Sequence, residues 1–396
     1  MRFKNGIIIF FVIAIVDEVL SENPNSPCKE NWDGGIKCSD CATLRAGQTY
    51  FPFFESRPLR YFIAYFECRD NFSRIDIGHD LIDKLQKIEV IKITKTDARR
   101  LVAGTFGSTN ITNTLRQLYL PNNNISIIDA SAFGRMKVLT HLFLNNNKLK
   151  SFSSHIITEG VNIKYLNLGN NLFEDMMDTQ LYNLTSLTYL NLDGNKFKTI
   201  SMSKVISNLK PVRVVWMSNN LLTYIGLESF DPVFDIEVLN LSFNKIDNIF
   251  GALSFMEKLK TLILSYNNIA ELEELDFPLK NLTSLQYLAI DHNQIMFMDP
   301  NLLDVLPFLK KITIMGNPWY CNCLRDYRQG LEVRHIQEKC GSDYVDTKRP
   351  VCLVDLTTNN TCTHVYSTAA AKFVNDDRRL HLDTDITFCL LNEFEQ

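Results

Sequence analysis

An asparagine returns along this chain at a nearly constant interval, and that interval leaves few architectures open. Asn123, Asn147, Asn171, Asn195, Asn220, Asn244, Asn267, Asn293 and Asn317 are separated by 24, 24, 24, 25, 24, 23, 26 and 24 residues. Each closes a block with apolar residues at set offsets before it, as in Leu187, Leu190, Leu192 and Asn195, or Leu139, Leu142, Leu144 and Asn147. Ile88, Ile91, Ile93 and Thr96 keep the same phase and add a degenerate first unit, and Val212, Val215, Met217 and Asn220 are the weakest later one. About ten units therefore stand in tandem. A single repeat of this kind cannot bury its apolar face alone, so each must cover its neighbour's, which is the logic of a solenoid.

Within each block the three apolar positions face inward. The residue between the last two points the other way, because side chains alternate along a strand. The asparagine falls where the chain leaves the strand. Its amide is expected to bond the backbone groups of its own and adjacent turns, which a tight buried turn would otherwise strand. Strands about 4.8 Å apart give ten of them a concave edge on the order of 45–50 Å, which suits a macromolecular partner better than a metabolite.

The ends of the chain suggest export. Arg2 and Lys4 precede an apolar run from Ile7 to Val16, too short to span a bilayer and patterned like a secretory signal. Cleavage is expected after Ser21, and the sequence carries no later membrane span and no lipid-anchor signal. Ten cysteines flank the repeats: Cys28, Cys38, Cys41 and Cys68 before, and Cys321, Cys323, Cys340, Cys352, Cys362 and Cys389 after. Each end of a solenoid exposes an unpaired strand and an apolar face, and disulfide-stapled caps cover such ends in an oxidising compartment. Spacing alone allows 3 connectivities for four cysteines and 15 for six. Seven N-x-S/T sequons are candidate glycan acceptors: Asn71, Asn110, Asn124, Asn183, Asn240, Asn281 and Asn359. The phase puts Asn183 and Asn281 on the convex side and makes Asn240 project from the concave sheet.

The 20- to 29-residue period with L-x-x-L-x-L-x-x-N is the leucine-rich-repeat signature. Together with Asn317-Pro318-Trp319-Tyr320-Cys321-Asn322-Cys323, which follows directly on the last repeat, it makes the chain resemble the extracellular leucine-rich-repeat proteins. The fold implied is an α/β solenoid, a curved leucine-rich-repeat horseshoe of about ten parallel strands with disulfide-stapled N- and C-terminal caps. Residues 1–21 read as the signal peptide, 22–84 as the N-terminal cysteine-rich cap, 85–317 as the repeats, 318–363 as the C-terminal cap and 364–396 as a polar tail. By the same resemblance Cys321 pairs with Cys340 and Cys323 with Cys362, leaving Cys352 for Cys389. The extra cysteines at 352 and 389 depart from the usual cap, and the N-terminal spacing matches the common compact cap poorly.

The phase also assigns the concave columns. The middle one reads Lys92, Tyr119, Phe143, Asn167, Asn191, Trp216, Asn240, Ile263, Ala289 and Thr313. The one before it includes His141, Tyr165, Tyr189 and Tyr287, and the one after it Asp193 and Asp291. Tyr119, Phe143, Tyr165, Tyr189, Trp216 and Tyr287 are the candidate partner-binding residues, since exposed aromatics gathered on one face mark interaction sites. Phe143 and Tyr165 are expected to touch diagonally. Charge in these columns is sparse and the net charge is -4, which disfavours nucleic acid and heparin-like polymers.

No catalytic, phosphate-binding, metal-protease or calcium-loop pattern occurs, and His141 and His292 fall six repeats apart, too far to share a metal. No cofactor or metal is expected. The function indicated is secreted, non-enzymatic recognition of an extracellular protein or glycan through the concave sheet, in the manner of the insect-type leucine-rich immune proteins that the chain resembles. Two alternatives stand beside it, an extracellular-matrix or cell-adhesion protein and a truncated receptor-like ectodomain. Stable membrane insertion is not expected, and a homo- or heterodimer is left open.

Overall fold

In the computed structural model, the described residues run from 88 to 339 apart from short internal stretches. Three strands nearer the N-terminus and residues 352–353, 370 and 372–374 are also described. In chain order the strands are β1 (Cys28–Glu30), β2 (Ile36–Cys38), β3 (Ile63–Glu67), β4 (Val90–Thr94), β5 (Arg100–Leu101), β6 (Gln117–Tyr119), β7 (Ile127–Ile128), β8 (His141–Phe143), β9 (Phe152–Ser153) and β10 (Tyr165–Asn167). They continue as β11 (Thr179–Gln180), β12 (Tyr189–Asn191), β13 (Val214–Trp216), β14 (Val238–Asn240), β15 (Thr261–Ile263), β16 (Tyr287–Ala289), β17 (Lys311–Thr313) and β18 (Gln337–Glu338). The ten strands β4, β6, β8, β10 and β12 to β17 are the ten repeat units, laid side by side in sequence order in one sheet. This is the leucine-rich-repeat solenoid.

Register follows the repeat phase residue for residue. Leu142 pairs with Leu118 and Leu166, Leu190 with Leu166 and Val215, and Leu288 with Leu262 and Ile312. That in-register row puts every central strand residue into the core, and Leu118, Leu142, Leu166, Leu190, Val215, Leu239 and Leu262 are fully buried. Returns on the other side are short and varied: two-residue strand pairs β5–β7 and β9–β11, and 3-10 turns at Ser154–Ile156, Leu279–Asn281 and Pro300–Val305. Inner phenylalanines fill the space beneath them, with Phe106 stacked on Phe133 at 5.4 Å and Phe173 on Phe197 at 6.1 Å.

The consensus asparagine does what its position suggested. Asn147 Nδ2 donates to the Leu120 carbonyl at 2.8 Å in the preceding repeat and to the Leu144 carbonyl at 2.9 Å in its own. Its Oδ1 accepts from the Asn123 and Ile125 amides, each at 3.0 Å. The same pattern recurs from Asn171 to Asn317, so one side chain per repeat staples two turns. Thr96 takes the staple from the other side, its amide and hydroxyl donating to Asn123 Oδ1 at 3.0 and 2.9 Å.

The residue just before each staple is left-handed. Lys95, Asn122, Asn146, Asn170, Gly194, Asn219, Phe243, Tyr266, His292 and Gly316 all have φ between 53° and 72°. Asn and Gly accept that conformation readily, whereas bulky side chains there are uncommon. Phe243, Tyr266 and His292 occupy it in three successive repeats and stack on one another at 4.4 and 4.1 Å. Gly316 continues the row, where a Cβ would meet the His292 ring at 2.6 Å.

Two features of the ends differ from the sequence reading. The parallel sheet continues past residue 85 toward the N-terminus: β3 pairs with β4 over five residues and β2 with β3 over three, and only β1 runs antiparallel. At the other end Cys321 is bonded to Cys352, which corrects the expected Cys321–Cys340 and Cys352–Cys389 pairs. The cause is a backbone bridge. The Leu353 amide donates to the Trp319 carbonyl at 2.7 Å and the Cys321 amide to the Leu353 carbonyl at 2.9 Å, which brings the two cysteine Cα atoms to 5.0 Å. Cys323 is also disulfide-bonded. The expected partner Cys362, and Cys41, Cys68, Cys340 and Cys389, lie outside the described residues, as do the signal segment 1–21 and most of the tail 364–396. The cap itself is the helix Cys321–Val333, which seats Leu324, Tyr327 and Leu331 on the last repeat. Trp319 is fully buried beneath it and donates through Nε1 to the Ile314 carbonyl at 2.7 Å.

Candidate functional site on the concave sheet

The N-terminal half of the concave sheet carries a connected run of rings. Tyr119 on β6 stacks on Phe143 of β8 at 4.4 Å with planes 3° apart. On β8, His141 and Phe143 lie two residues apart, their rings 6.3 Å apart. His141 then stacks on Tyr165 of β10 at 4.3 Å, and Tyr165 meets Tyr189 of β12 at 5.8 Å with the planes tilted by 34°. The register explains the order, since Tyr119 faces Phe143 and Tyr165 faces both His141 and Tyr189. Strand spacing near 4.8 Å matches the separation that offset-stacked rings prefer, so one aromatic column on successive strands becomes a ladder. Phe143 and Tyr165 do not meet diagonally. His141, which the sequence reading placed in the right column but left out of the candidates, is the joint between them.

Tyr165 is the most open of these residues, 40% exposed, and the others are half-buried. His141 Nδ1 lies 2.8 Å from the Thr140 hydroxyl. Burial, and then the nearby Lys164 ammonium, lower its pKa below the ordinary imidazole value, so the ladder is uncharged at neutral pH. Tyr119 donates its hydroxyl to Gln117 Oε1 at 2.9 Å.

The other two candidates stand apart. Trp216 is half-buried on β13, makes no ring contact with the ladder, and its Nε1 is sealed from solvent without a hydrogen-bond partner. Tyr287 on β16 is four strands beyond Tyr189 and packs on Ile263 and Ala289, with Lys311 Nζ 5.0 Å from its ring centroid. Beyond β13 the middle column closes: Asn240, Ile263, Ala289 and Thr313 are all at most 2% exposed, while Val238, Tyr287 and Lys311 in the column before it stay half-buried.

The polar residues of the concave face are largely spent on structure. Asn167, Asn191 and Asn240 each turn Oδ1 back to the amide two residues on, at 2.9, 2.9 and 3.0 Å. Asp193 accepts from the Ser218 amide and hydroxyl at 2.6 and 2.8 Å, and burial pushes its carboxyl up to about 6 against those bonds. Asp291 is buried; burial opposes its ionisation, but His292 and the hydroxyls of Ser265 and Thr313 outweigh that and hold its pKa below the ordinary value. His292 is 3% exposed, at the turn, with Nδ1 2.9 Å from Asp291 Oδ2. Among the described residues no three His, Cys, Asp or Glu side chains converge as metal ligands, and no helix is long and apolar enough to cross a membrane.

Asn240 corrects a further expectation. It lies in the concave column but is 0% exposed, with Nδ2 sealed and Ser242 Oγ 2.7 Å from its Oδ1. A glycan attaches at that Nδ2 atom, so a chain carrying one there cannot close into this sheet. Intact glycopeptide mass spectrometry of the folded protein is expected to find Asn240 unmodified, and a glycan on it in more than a trace of folded molecules would refute the burial. Asn124 and Asn281 are half-buried, with Nδ2 on Asp97 Oδ1 at 3.2 Å and on the Ser254 carbonyl at 3.0 Å. Asn110 lies in a one-turn helix, and Asn71, Asn183 and Asn359 lie outside the described residues.

The described residues form a leucine-rich-repeat fold with an aromatic patch on half of its concave sheet. Comparison with known proteins agrees at the level of the fold: residues 113–173 match the leucine rich repeat family model. The human oligodendrocyte-myelin glycoprotein is 32% identical over 124 residues, covering 31% of this chain and 26% of that protein. A probable serine/threonine-protein kinase of Dictyostelium discoideum is 31% identical over 118 residues, covering 24% of this chain and 9% of that protein. The chain thus spans about a quarter or less of these relatives. Among solved structures, the octameric complex of Latrophilin 3, Unc5D and the leucine-rich-repeat part of FLRT2 matches with a TM-score of 0.57 at 18% identity, covering 79% of this chain and 91% of that one.

Proposed function

We propose that this chain is a secreted, non-enzymatic recognition protein that holds an extracellular protein or glycan on the ladder Tyr119, Phe143, His141, Tyr165 and Tyr189. The observation that carries this reading is the contrast across one sheet. Contacting rings line β6 to β12, with Tyr165 40% exposed, whereas in the middle column of β14 to β17 Asn240, Ile263, Ala289 and Thr313 are at most 2% exposed. Open, rigid aromatic side chains on a preformed sheet give large contact area at low entropic cost, and Tyr is enriched among residues that dominate binding energy. The leader pattern and the terminal cysteines support export, and resemblance to insect-type leucine-rich immune proteins supports a setting in innate immunity. Of the candidate residues, Trp216, whose indole nitrogen is sealed, is left out of this binding centre, and Tyr165 and Tyr189 carry it.

A pull-down from the source organism's extracellular fluid tests it, with wild type beside a Tyr165→Ala, Tyr189→Ala variant. The captured partner is expected to bind the variant about 100-fold more weakly, the loss of roughly 2–3 kcal/mol typical of two central interface tyrosines. Equal capture by both proteins overturns the concave reading and moves the weight to a matrix or adhesion role through the convex face or caps.

A further inference from the structure

Phe255 lies on the return segment that leads into β15, and it is 57% exposed. Its ring meets Phe234 of the preceding repeat at 5.3 Å, with the planes tilted by 55°. The contact holds the ring in place while most of its surface faces solvent. One repeat further on, Val305 is exposed as well. Apolar surface gathered in this way on a folded protein marks a contact that covers it.

The chain sets a sequon between these side chains. Asn281, Leu282 and Thr283 lie on the return into β16. Asn281 Nδ2 donates at 3.0 Å to the carbonyl of Ser254, the residue just before Phe255. On the other side, the turn Leu279–Asn281 packs against the turn Pro300–Val305. Leu282 is fully buried and anchors the segment, while Thr283 is exposed. Nδ2 carries two hydrogens, and the bond to Ser254 uses one of them. Asn240 and Asn124 are placed differently: the Nδ2 of the first is sealed in the sheet, and that of the second is turned to the Asp97 carboxylate.

Resting on the export reading above, we propose that Asn281 carries an N-linked glycan and that its innermost sugar lies on the Phe255 ring. In the attachment, a transferase of the secretory compartment moves an oligosaccharide from a lipid-linked diphosphate donor. The bond from sugar C1 to the diphosphate oxygen breaks and the C1–Nδ2 bond forms. The diphosphate leaves with the electron pair of the broken bond, and Nδ2 gives up one proton. The remaining N–H keeps the bond to Ser254. The C–H groups of the sugar ring meet the negative face of the aromatic ring and take its apolar surface out of water. The sugar hydroxyls point outward, so an apolar patch becomes a hydrated one. The site lies on the returns into β15 and β16, away from the ladder on β6 to β12, and leaves that ladder free for its partner.

The test expresses the full chain in a secreting eukaryotic cell. Intact glycopeptide mass spectrometry is expected to find Asn281 occupied in most molecules. Thr283→Ala, at an exposed position, removes the acceptor motif and keeps the Asn281 bond to Ser254. It is expected to lower the midpoint of thermal unfolding by about 2–4 °C, the scale of one lost aromatic contact. That loss is expected to vanish when Phe255→Ser is already present, since the sugar then has no ring to cover. Asn281 found empty in a secreted chain overturns the proposal and leaves the export reading standing. A chain retained in the cell with every sequon empty overturns both. An equal loss from Thr283→Ala with and without Phe255→Ser overturns the contact between sugar and ring.

Discussion

Replacing Asn147 by Leu is expected to cost about 3–9 kcal/mol. The two side chains are similar in reach, so the change removes hydrogen bonds without opening a cavity. Among the described residues, the Leu120 carbonyl and the Asn123 and Ile125 amides are bonded by the Asn147 side chain and by nothing else. All are enclosed, and each orphaned buried group costs roughly 1–3 kcal/mol. The Leu144 carbonyl is spared, because Asn171 Nδ2 also donates to it at 3.0 Å. Urea unfolding followed by circular dichroism measures the loss, and hydrogen exchange locates it: Asn123 and Ile125 amides should lose protection first. A loss below about 1 kcal/mol would mean that water replaces the staple, contrary to the burial of Asn147.

The ten strands, their order and their register were legible because one rule, burial against the neighbouring repeat, acts on every unit. Leu187, Leu190, Leu192 and Asn195 announce that rule wherever it holds. The candidate site was legible in its columns but not in its contacts. Alternation places Tyr119, Phe143, Tyr165 and Tyr189 on the concave face, whereas which rings touch depends on in-register pairing and on χ angles. His141 was missed for that reason, although it shares a column with Tyr165 and Tyr189. Asn240 was misjudged for another. Strand phase tells which way a side chain leaves the backbone, and it does not tell whether the space it enters is open. The staple's left-handed neighbour was hidden at Phe243, Tyr266 and His292, because bulky residues are not the usual occupants of that conformation. The cap pairing was misassigned because the resemblance supplied an order for four cysteines, and this cap brings Cys352 to Cys321 through Leu353.

Cap chemistry carries the second large effect. A Cys321→Ser, Cys352→Ser double variant is expected to lose about 3.5 kcal/mol in the C-terminal cap, the chain-entropy value for a loop closed over a separation of 31 residues. The loss should stay local. In a solenoid each unit contacts only its neighbours, so stability is close to a sum of unit and interface terms. The helix Cys321–Val333 is tied to the last repeat through Trp319, Leu324, Tyr327 and Leu331 and to the following segment through this disulfide. Without the bond the helix frays and Trp319 is uncovered, while β8 to β12, six to eight strands back along the sheet from the cap strand β18, keep their packing. Hydrogen exchange distinguishes this from a global effect: amides of Leu324 to Leu331 should exchange faster, with those of Leu142, Leu166 and Leu190 unchanged. Equal loss in both regions would show that the sheet unfolds as one cooperative block. In that case the cap governs the aromatic ladder's stability as well as its own, and recognition on β6 to β12 would weaken whenever the distant disulfide is reduced.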